Sequence, residues 1–181
     1  MKKGAFLAIM CMFFANISFA QSDEETAIKQ RVNNLFTGMK TCDSTLASSA
    51  FAKGSILQTI VNKEGKTIVK TESVSAFLKM IATPRNQKYD ERIVFSKILI
   101  DGPLASVWTD YKFYIGENHQ EQSINKNKKN AIDSSITDKR QTEIQWKFSH
   151  CGVNSFQLVK GDNGWQIAYL IDTRRKENCK P

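Results

Sequence analysis

The sequence predicts an α+β fold in which helices pack on one face of a curved antiparallel sheet. Two observations support this prediction. Helix-forming segments dominate residues 23–81, and two long strand hairpins follow over residues 91–172. A chain of 181 residues fits one domain, and its 41% hydrophobic content excludes a disordered chain.

The first twenty residues match a secretory signal peptide. Lys2 and Lys3 precede an apolar run over residues 5–14, and small residues flank Phe19 before a cut after Ala20. We expect residues 1–20 to be removed, leaving residues 21–181 as a single exported domain, periplasmic or secreted. An uncleaved N-terminal anchor is the alternative, although the apolar run is shorter than a membrane span requires.

Three helices are predicted before the long strands. Apolar residues at helical spacing indicate a helix over 23–39, capped by Ser22 or Asp23. A short helix is predicted over 44–51, with Thr41 or Asp43 as its N-cap. A third helix over 73–81 ends before Pro84.

The predicted strands alternate with strong turn sequences. Short strands are expected over 56–61 and 67–69, and longer ones over 91–100, 104–115, 146–159 and 165–172. Residues 117–145 are polar, with equal numbers of acidic and basic side chains, and they are predicted to be a mobile insertion in a hairpin.

The last hairpin suggests a polar site on an apolar face. A two-residue turn at Asp162-Asn163 would pair Phe156 with Tyr169, Asn154 with Ile171 and His150 with Arg175. His150 and Asn154 would then share the apolar face with Phe156 and Tyr169, as pocket-lining or as structural polar groups. Asp172 would lie on the opposite, wetter face.

The preceding hairpin would add further residues to the same interior. With Asp101-Gly102 as the turn, Tyr111 and Phe113 share the core face with Arg92. A one-residue slip would instead put Trp108 inside. A surface ion pair is the alternative role for Arg92.

Nothing in the sequence indicates a metal site or a cofactor. It lacks the phosphate-loop, dinucleotide, serine-hydrolase and paired-histidine motifs. After cleavage the cysteines are Cys42, Cys151 and Cys179, which allow at most one internal disulfide and leave its pairing open.

Several short sequences resemble the nuclear transport factor 2-like superfamily. They are Val32-Asn33-Asn34-Leu35-Phe36, Tyr89-Asp90-Glu91-Arg92-Ile93, Ala105-Ser106-Val107-Trp108, His150-Cys151-Gly152-Val153-Asn154-Ser155-Phe156 and Gly164-Trp165-Gln166-Ile167. The chain looks most similar to the SnoaL-like branch, and within it to bacterial exported proteins labelled lumazine-binding. The resemblance implies a cone-shaped fold with an internal pocket, on a scaffold that hosts both enzymes and non-catalytic proteins.

Enzymes of that superfamily often use an Asp–His or Asp–Tyr pair inside the cone. By this resemblance Asp43 would face His150 or Tyr111 across the pocket, and these three are the candidate catalytic residues. A plain helix-capping role for Asp43 is the alternative.

The expected function is binding of a small molecule, such as a planar heterocycle, in the cone of an exported protein. An isomerase, dehydratase or cyclase with an acid–base site is the first alternative, and a non-catalytic dimeric interaction module is the second. We expect a homodimer through the sheet, and no stable membrane insertion after cleavage. Cleavage removes two lysines, so the net charge falls from +8 to +6, and export argues against a nucleic-acid partner.

Overall fold

The structure, a computed structural model, describes residues 4–84, 87–118 and 144–180. Of the residues up to Gln21, and of Asn118, it describes the backbone alone. Residues 119–143, most of the predicted insertion, lie outside the described residues.

Helices come first along the chain, followed by long strands, as predicted. The elements are α1 (Gly4–Thr41), α2 (Ser44–Ser49), β1 (Phe51–Lys63), β2 (Lys66–Ser73), α3 (Val74–Ala82), β3 (Gln87–Asp101), β4 (Leu104–Asn118), β5 (Ile144–Gly161) and β6 (Gly164–Arg175). The six strands form one sheet in the order β2-β1-β6-β5-β4-β3. Only β1 and β6 are parallel neighbours in it.

The first helix begins earlier than predicted. The proposed caps Ser22 and Asp23 lie inside α1, because residues 5–21 contain neither proline nor glycine to interrupt the helical hydrogen bonds. Within the described part of the chain, no helix is both long and apolar enough to span a bilayer.

The two shorter helices have the N-caps that their sequences favour. The Asp43 carboxylate accepts a hydrogen bond from the Leu46 amide at 2.9 Å, so Asp43, and not Thr41, caps α2. The Ser73 hydroxyl accepts one from the Ala76 amide at 3.1 Å and caps α3.

One face of α1 forms the core with the concave side of the sheet. Its buried residues recur at helical spacing: Ile28, Val32, Leu35, Phe36 and Met39. They pack against Phe156, Leu158 and Ile167 of the last hairpin, and the rings of Phe36 and Phe156 meet edge to face at 6.2 Å.

The β3–β4 hairpin has the predicted faces near its turn. Asp101 pairs with Leu104, so Gly102 and Pro103 form the turn, and not Asp101 and Gly102. Ala105 and Val107 are buried, whereas Trp108 is 46% exposed. The alternative register with Trp108 inside is therefore excluded.

Candidate ligand-binding cavity

A bulge in β3 decides which charged residue enters the cone. Ser96 is an extra residue between the pairs Phe95–Thr109 and Lys97–Trp108. Beyond it Glu91 pairs with Phe113 and lies on the concave face, while Arg92 pairs with Lys112 on the opposite face. The prediction that Arg92 shares the core face with Tyr111 is wrong for this reason.

A second bulge, at Ala168 in β6, exchanges the faces of the last hairpin. Gly161 pairs with Gly164 and Leu158 with Ile167, so the predicted two-residue turn at Asp162-Asn163 is confirmed. Beyond the bulge Gln157, and not Phe156, pairs with Tyr169. Tyr169 therefore lies on the opposite face, where its hydroxyl donates to the Gln58 side chain at 2.6 Å.

The same bulge brings Asp172 into the interior. Asn154 pairs with Asp172, not with Ile171 as predicted, and Arg175 pairs with Cys151 rather than with His150. Asp172 was predicted on the wet face, but it is 9% exposed and lines a cavity beside Asn154.

This cavity lies between the helices, β1 and the concave face of the sheet. Its volume is about 80 Å³. One part of its wall is apolar: Leu35, Phe36, Met39, Leu57, Phe77 and Leu170. The rest includes a group of polar side chains that we call the polar cluster: Thr59, Glu91, Asn154, Asp172 and Arg174.

Asp172 is held in place by three neighbouring side chains. The Thr59 hydroxyl donates to Oδ1 at 2.6 Å, and Nε of the half-exposed Arg174 donates to Oδ2 at 3.0 Å. The Tyr111 hydroxyl lies 3.1 Å from the same Oδ2 and 2.9 Å from the Thr173 carbonyl oxygen. Both oxygens of the Asp172 carboxylate thus have hydrogen-bond partners, and the carboxylate is paired with a cation.

Glu91, also in the polar cluster, has an environment different from that of Asp172. Asn154 Nδ2 donates to Glu91 Oε1 at 2.7 Å and also lies 3.3 Å from the Thr109 hydroxyl. Burial raises the pKa of Glu91 to about 8, against the lowering effect of the Asn154 hydrogen bond and with a further rise from Asp172. Glu91 is therefore mostly protonated near neutral pH.

Glu91→Gln is expected to stabilise the protein increasingly as the pH rises. An unfolded Glu91 ionises near 4.5, whereas the folded one holds its proton to about 8. The wild type therefore loses stability over this window, and the amide variant does not. The advantage of the variant should grow by about 2 kcal/mol between pH 5 and pH 8 in urea unfolding, since partial solvent contact reduces the full effect. Glu64→Gln, on an exposed turn, is the control, and a pH-independent difference would contradict the assignment.

The predicted ligand-binding residues divide between this cavity and its surroundings. Asn154 lines the cavity, and Tyr111 supports it from behind by orienting Asp172. Phe156 belongs to the core against α1. His150 and Phe113 stack on each other farther along the concave face, with ring centroids 4.7 Å apart.

His150 has the position on the concave face that the sequence predicts. Its Nδ1 lies 3.0 Å from the Ser149 hydroxyl, and its ring meets Tyr111 edge to face. Burial first, and then the Arg174 guanidinium, lower the pKa of His150, so the ring is neutral near pH 7.

The remaining candidates have structural partners elsewhere. Asp43 caps α2, as described above. Arg92 donates to Asp90 at 2.9 Å and stacks over the Tyr114 ring at 4.1 Å. The ion pair given as its alternative role is therefore present, but its Asp90 partner is buried and not at the surface. Burial and the neighbouring Asp172 raise the pKa of the Tyr111 phenol, so it remains protonated.

Sequence reasoning missed Glu91, Asp172, Arg174 and Thr59. The alternation of Asp172 and Arg174 along β6 places both on one face, but the choice of face depended on the bulge at Ala168. No sequence feature marks Ala168 or Ser96 as bulge residues.

The described cysteine, histidine and acidic side chains do not form a metal site. Cys151 and Cys179 form a disulfide, and Cys42 is a free, exposed thiol. Within 4–84, 87–118 and 144–180, no three His, Cys, Asp or Glu side chains are grouped as metal ligands.

The fold matches solved structures of low sequence identity. A nuclear transport factor 2-like protein of unknown function from Shewanella baltica gives a TM-score of 0.53 at 15% identity, over 86% of this chain and 97% of that one. A nuclear transport factor 2-like protein with a cystatin-like fold from Novosphingobium aromaticivorans gives 0.56 at 8% identity, over 98% and 94%. The protein has the nuclear transport factor 2-like fold.

A ketosteroid isomerase-like protein from Erwinia carotovora atroseptica is a further match. Its TM-score is 0.51 at 10% identity, over 82% of this chain and 94% of that one. No family profile matches the sequence, and no curated protein matches it. The predicted α+β cone is confirmed, while the lumazine-binding branch stays a prediction.

Proposed function

We propose that the protein binds a small molecule in the cavity bounded by α1, β1, α3 and the concave face of the sheet. The observation that carries the proposal is an apolar cavity wall that meets a pre-ordered polar cluster. Such a combination is typical of ligand sites, because the apolar wall supplies affinity and a few fixed polar groups supply orientation. The nuclear transport factor 2-like fold is compatible with this use but does not establish it.

The size of the cavity favours a small ligand. Its volume of about 80 Å³ is well below the roughly 300–1,000 Å³ of pockets for drug-sized ligands. A ligand of a few heavy atoms therefore fits better than the planar heterocycle expected from the sequence, which would require the cavity wall to move.

A thermal-shift screen with a cavity-filled variant tests the proposal. A ligand at a hundred times its Kd stabilises the folded state by about 2.7 kcal/mol, roughly a 5–10 °C rise in Tm for a chain of this size. We expect such a rise in the wild type and its loss in Leu170→Trp, which fills the cavity. Ile171→Trp, on the opposite face of the same strand, is the matched control.

The screen should include pteridines, flavins and small polar compounds. A panel in which no compound raises the wild-type Tm more than that of Leu170→Trp would overturn the proposal. NMR of each hit after incubation distinguishes simple binding from chemical conversion.

An acid–base enzyme of the isomerase, dehydratase or cyclase type is the second candidate. It is favoured by Glu91, whose pKa near 8 suits proton transfer at neutral pH. In such an enzyme Glu91 would be the general acid or base instead of the sequence candidate His150, because Glu91 lines the cavity.

We also propose that the protein is exported and forms a homodimer, as expected from the sequence. The signal-peptide pattern and the Cys151–Cys179 disulfide support an oxidising compartment. Dimerisation through the sheet is supported by exposed apolar side chains on its outer face, among them Val94, Leu99 and Trp108.

A further inference from the structure

Carboxyl groups outnumber cationic groups in the cavity wall. Three carboxyl groups line it, from Glu72, Glu91 and Asp172, but Arg174 is its only cationic lining residue among the described ones. Arg174 is already committed to Asp172, through the 3.0 Å contact of its Nε. Glu72 and Glu91 therefore lack a cationic partner in the cavity wall.

Hydrogen bonding leaves part of Glu91 available to a ligand. Asn154 occupies Oε1, and among the described residues Oε2 has no hydrogen-bond donor. Asn154 is itself fixed by Thr109, so it orients the Glu91 carboxyl but supplies no positive charge. Once Glu91 is ionised, a charged donor on a ligand would supply the missing partner of Oε2.

The groups packed around Glu91 include one cation, Arg174, which lowers the pKa of Glu91 but is paired directly with Asp172. From β6 come Asp172 and its partner Arg174, and from β4 the phenol of Tyr111, which is neutral. β2 contributes the acidic Glu72, and α1 contributes only apolar side chains to the cavity wall: Leu35, Phe36 and Met39.

The apolar part of the wall suits the body of a small cation. Phe36 and Phe77 offer aromatic rings to the cavity, and Met39 and Leu57 lie beside them. Aromatic and aliphatic walls both accept a short hydrocarbon chain.

We propose that the ligand of this cavity is a small organic cation of the alkylammonium class, with its ammonium group on Glu91 and its chain against Phe36, Met39 and Leu57. This inference rests on the proposed function, since it names the ligand class of the same site. Binding requires the ionised Glu91 carboxylate, so each bound cation displaces the proton that Glu91 holds in the free protein.

Three probes of similar shape and different charge test the inference. n-Butylammonium is the cation, 1-butanol its neutral analogue and butyrate its anionic one, with Kd measured by calorimetry or NMR titration from pH 6 to pH 9. An alkylammonium keeps its charge over this range, because its pKa is close to the roughly 10.4 of lysine.

We expect butylammonium to bind most tightly of the three. Its affinity should rise roughly tenfold per pH unit below about pH 8 and then level off, as Glu91 becomes ionised in the free protein. Glu91→Gln keeps a polar group beside Asn154 but cannot carry the charge, so it should weaken butylammonium binding at least tenfold and remove the pH dependence. Glu64→Gln, on an exposed turn, should change neither.

The outcomes separate this inference from the proposed function. Tighter binding of 1-butanol or butyrate, or a butylammonium affinity that falls with pH, would overturn the cation assignment and leave a ligand cavity in place. Failure of all three probes would also overturn it. The proposed function itself fails only if the broader screen gives no ligand that Leu170→Trp excludes.

Discussion

Gly152→Ala is expected to destabilise the protein by more than about 3 kcal/mol. A Cβ at this position would lie 1.7 Å from the Thr173 carbonyl oxygen and 2.7 Å from Cε1 of Tyr111. The first contact is with backbone of the paired strand β6, which cannot move without breaking the β5–β6 ladder. The clash therefore exceeds the usual 1–3 kcal/mol cost of overpacking.

The control for this prediction is Gly161→Ala. A Cβ there meets nothing within 4 Å, so its effect should stay within about 0.5 kcal/mol. Urea unfolding followed by circular dichroism measures both variants. Similar stabilities for the two would show that the close approach of Gly152 to Thr173 is wrong.

The close approach at Gly152 also affects the cavity. Tyr111 pairs with Gly152 across the strands and extends to the Asp172 carboxylate and the Thr173 carbonyl oxygen. A side chain on residue 152 would push the phenol away from Asp172. Any Gly152→Ala protein that still folds should therefore bind cavity ligands more weakly.

Removing the disulfide has the second large expected effect. Cys151 and Cys179 are separated by 28 residues, and a cross-link of this span stabilises a protein by about 3–4 kcal/mol, chiefly through the entropy of the unfolded chain. The double variant Cys151→Ala/Cys179→Ala should lose about this much stability. Thermal and urea unfolding without reductant measure the loss.

Cys42→Ala provides the matched control, because Cys42 is an exposed free thiol. It should leave the stability within about 0.5 kcal/mol of the wild type. Reduction of the wild type should reproduce the loss seen in the double variant. A reduced wild type that unfolds at the same urea concentration as the oxidised one would contradict the pairing.

The disulfide also secures the end of β6, which carries Asp172 and Arg174 of the polar cluster. Arg175 pairs with Cys151, and Arg174 next to it holds Asp172. Beyond the strand, Lys180 forms an ion pair with Asp110 of β4 at 2.8 Å. The C-terminal segment is therefore fastened to the outer side of the sheet while β6 presents Asp172 and Arg174 to the cavity.

The fold was largely predictable from local patterns. The 3.6-residue period of α1, the cap Asp43 and the turn at Asp162-Asn163 are properties of nearby residues. Each of these predictions depends on interactions within a few residues along the chain. The order of helices and strands then restricts the fold class.

The candidate site was predictable only in part. Asn154 and His150 lie on the concave face as predicted, because their side of β5 follows from strand alternation. Glu91 and Asp172 were missed, since one extra residue in β3 and one in β6 reverse every face beyond them. Because successive side chains point to opposite faces, one extra residue exchanges the two faces for the whole remainder of the strand.

The sequence by itself determined the fold class, the Asp43 cap of α2 and the turn at Asp162-Asn163, all of which depend on short-range hydrogen bonds and apolar periodicity. Only the tertiary structure decided that Glu91, and not the predicted Arg92, lies in the interior. It also decided that Asp172, and not the predicted Ile171, pairs with Asn154. The physical reason is that a bulge depends on how neighbouring strands fit a bent sheet around α1. That fit is a property of the assembled sheet, and no single strand encodes it.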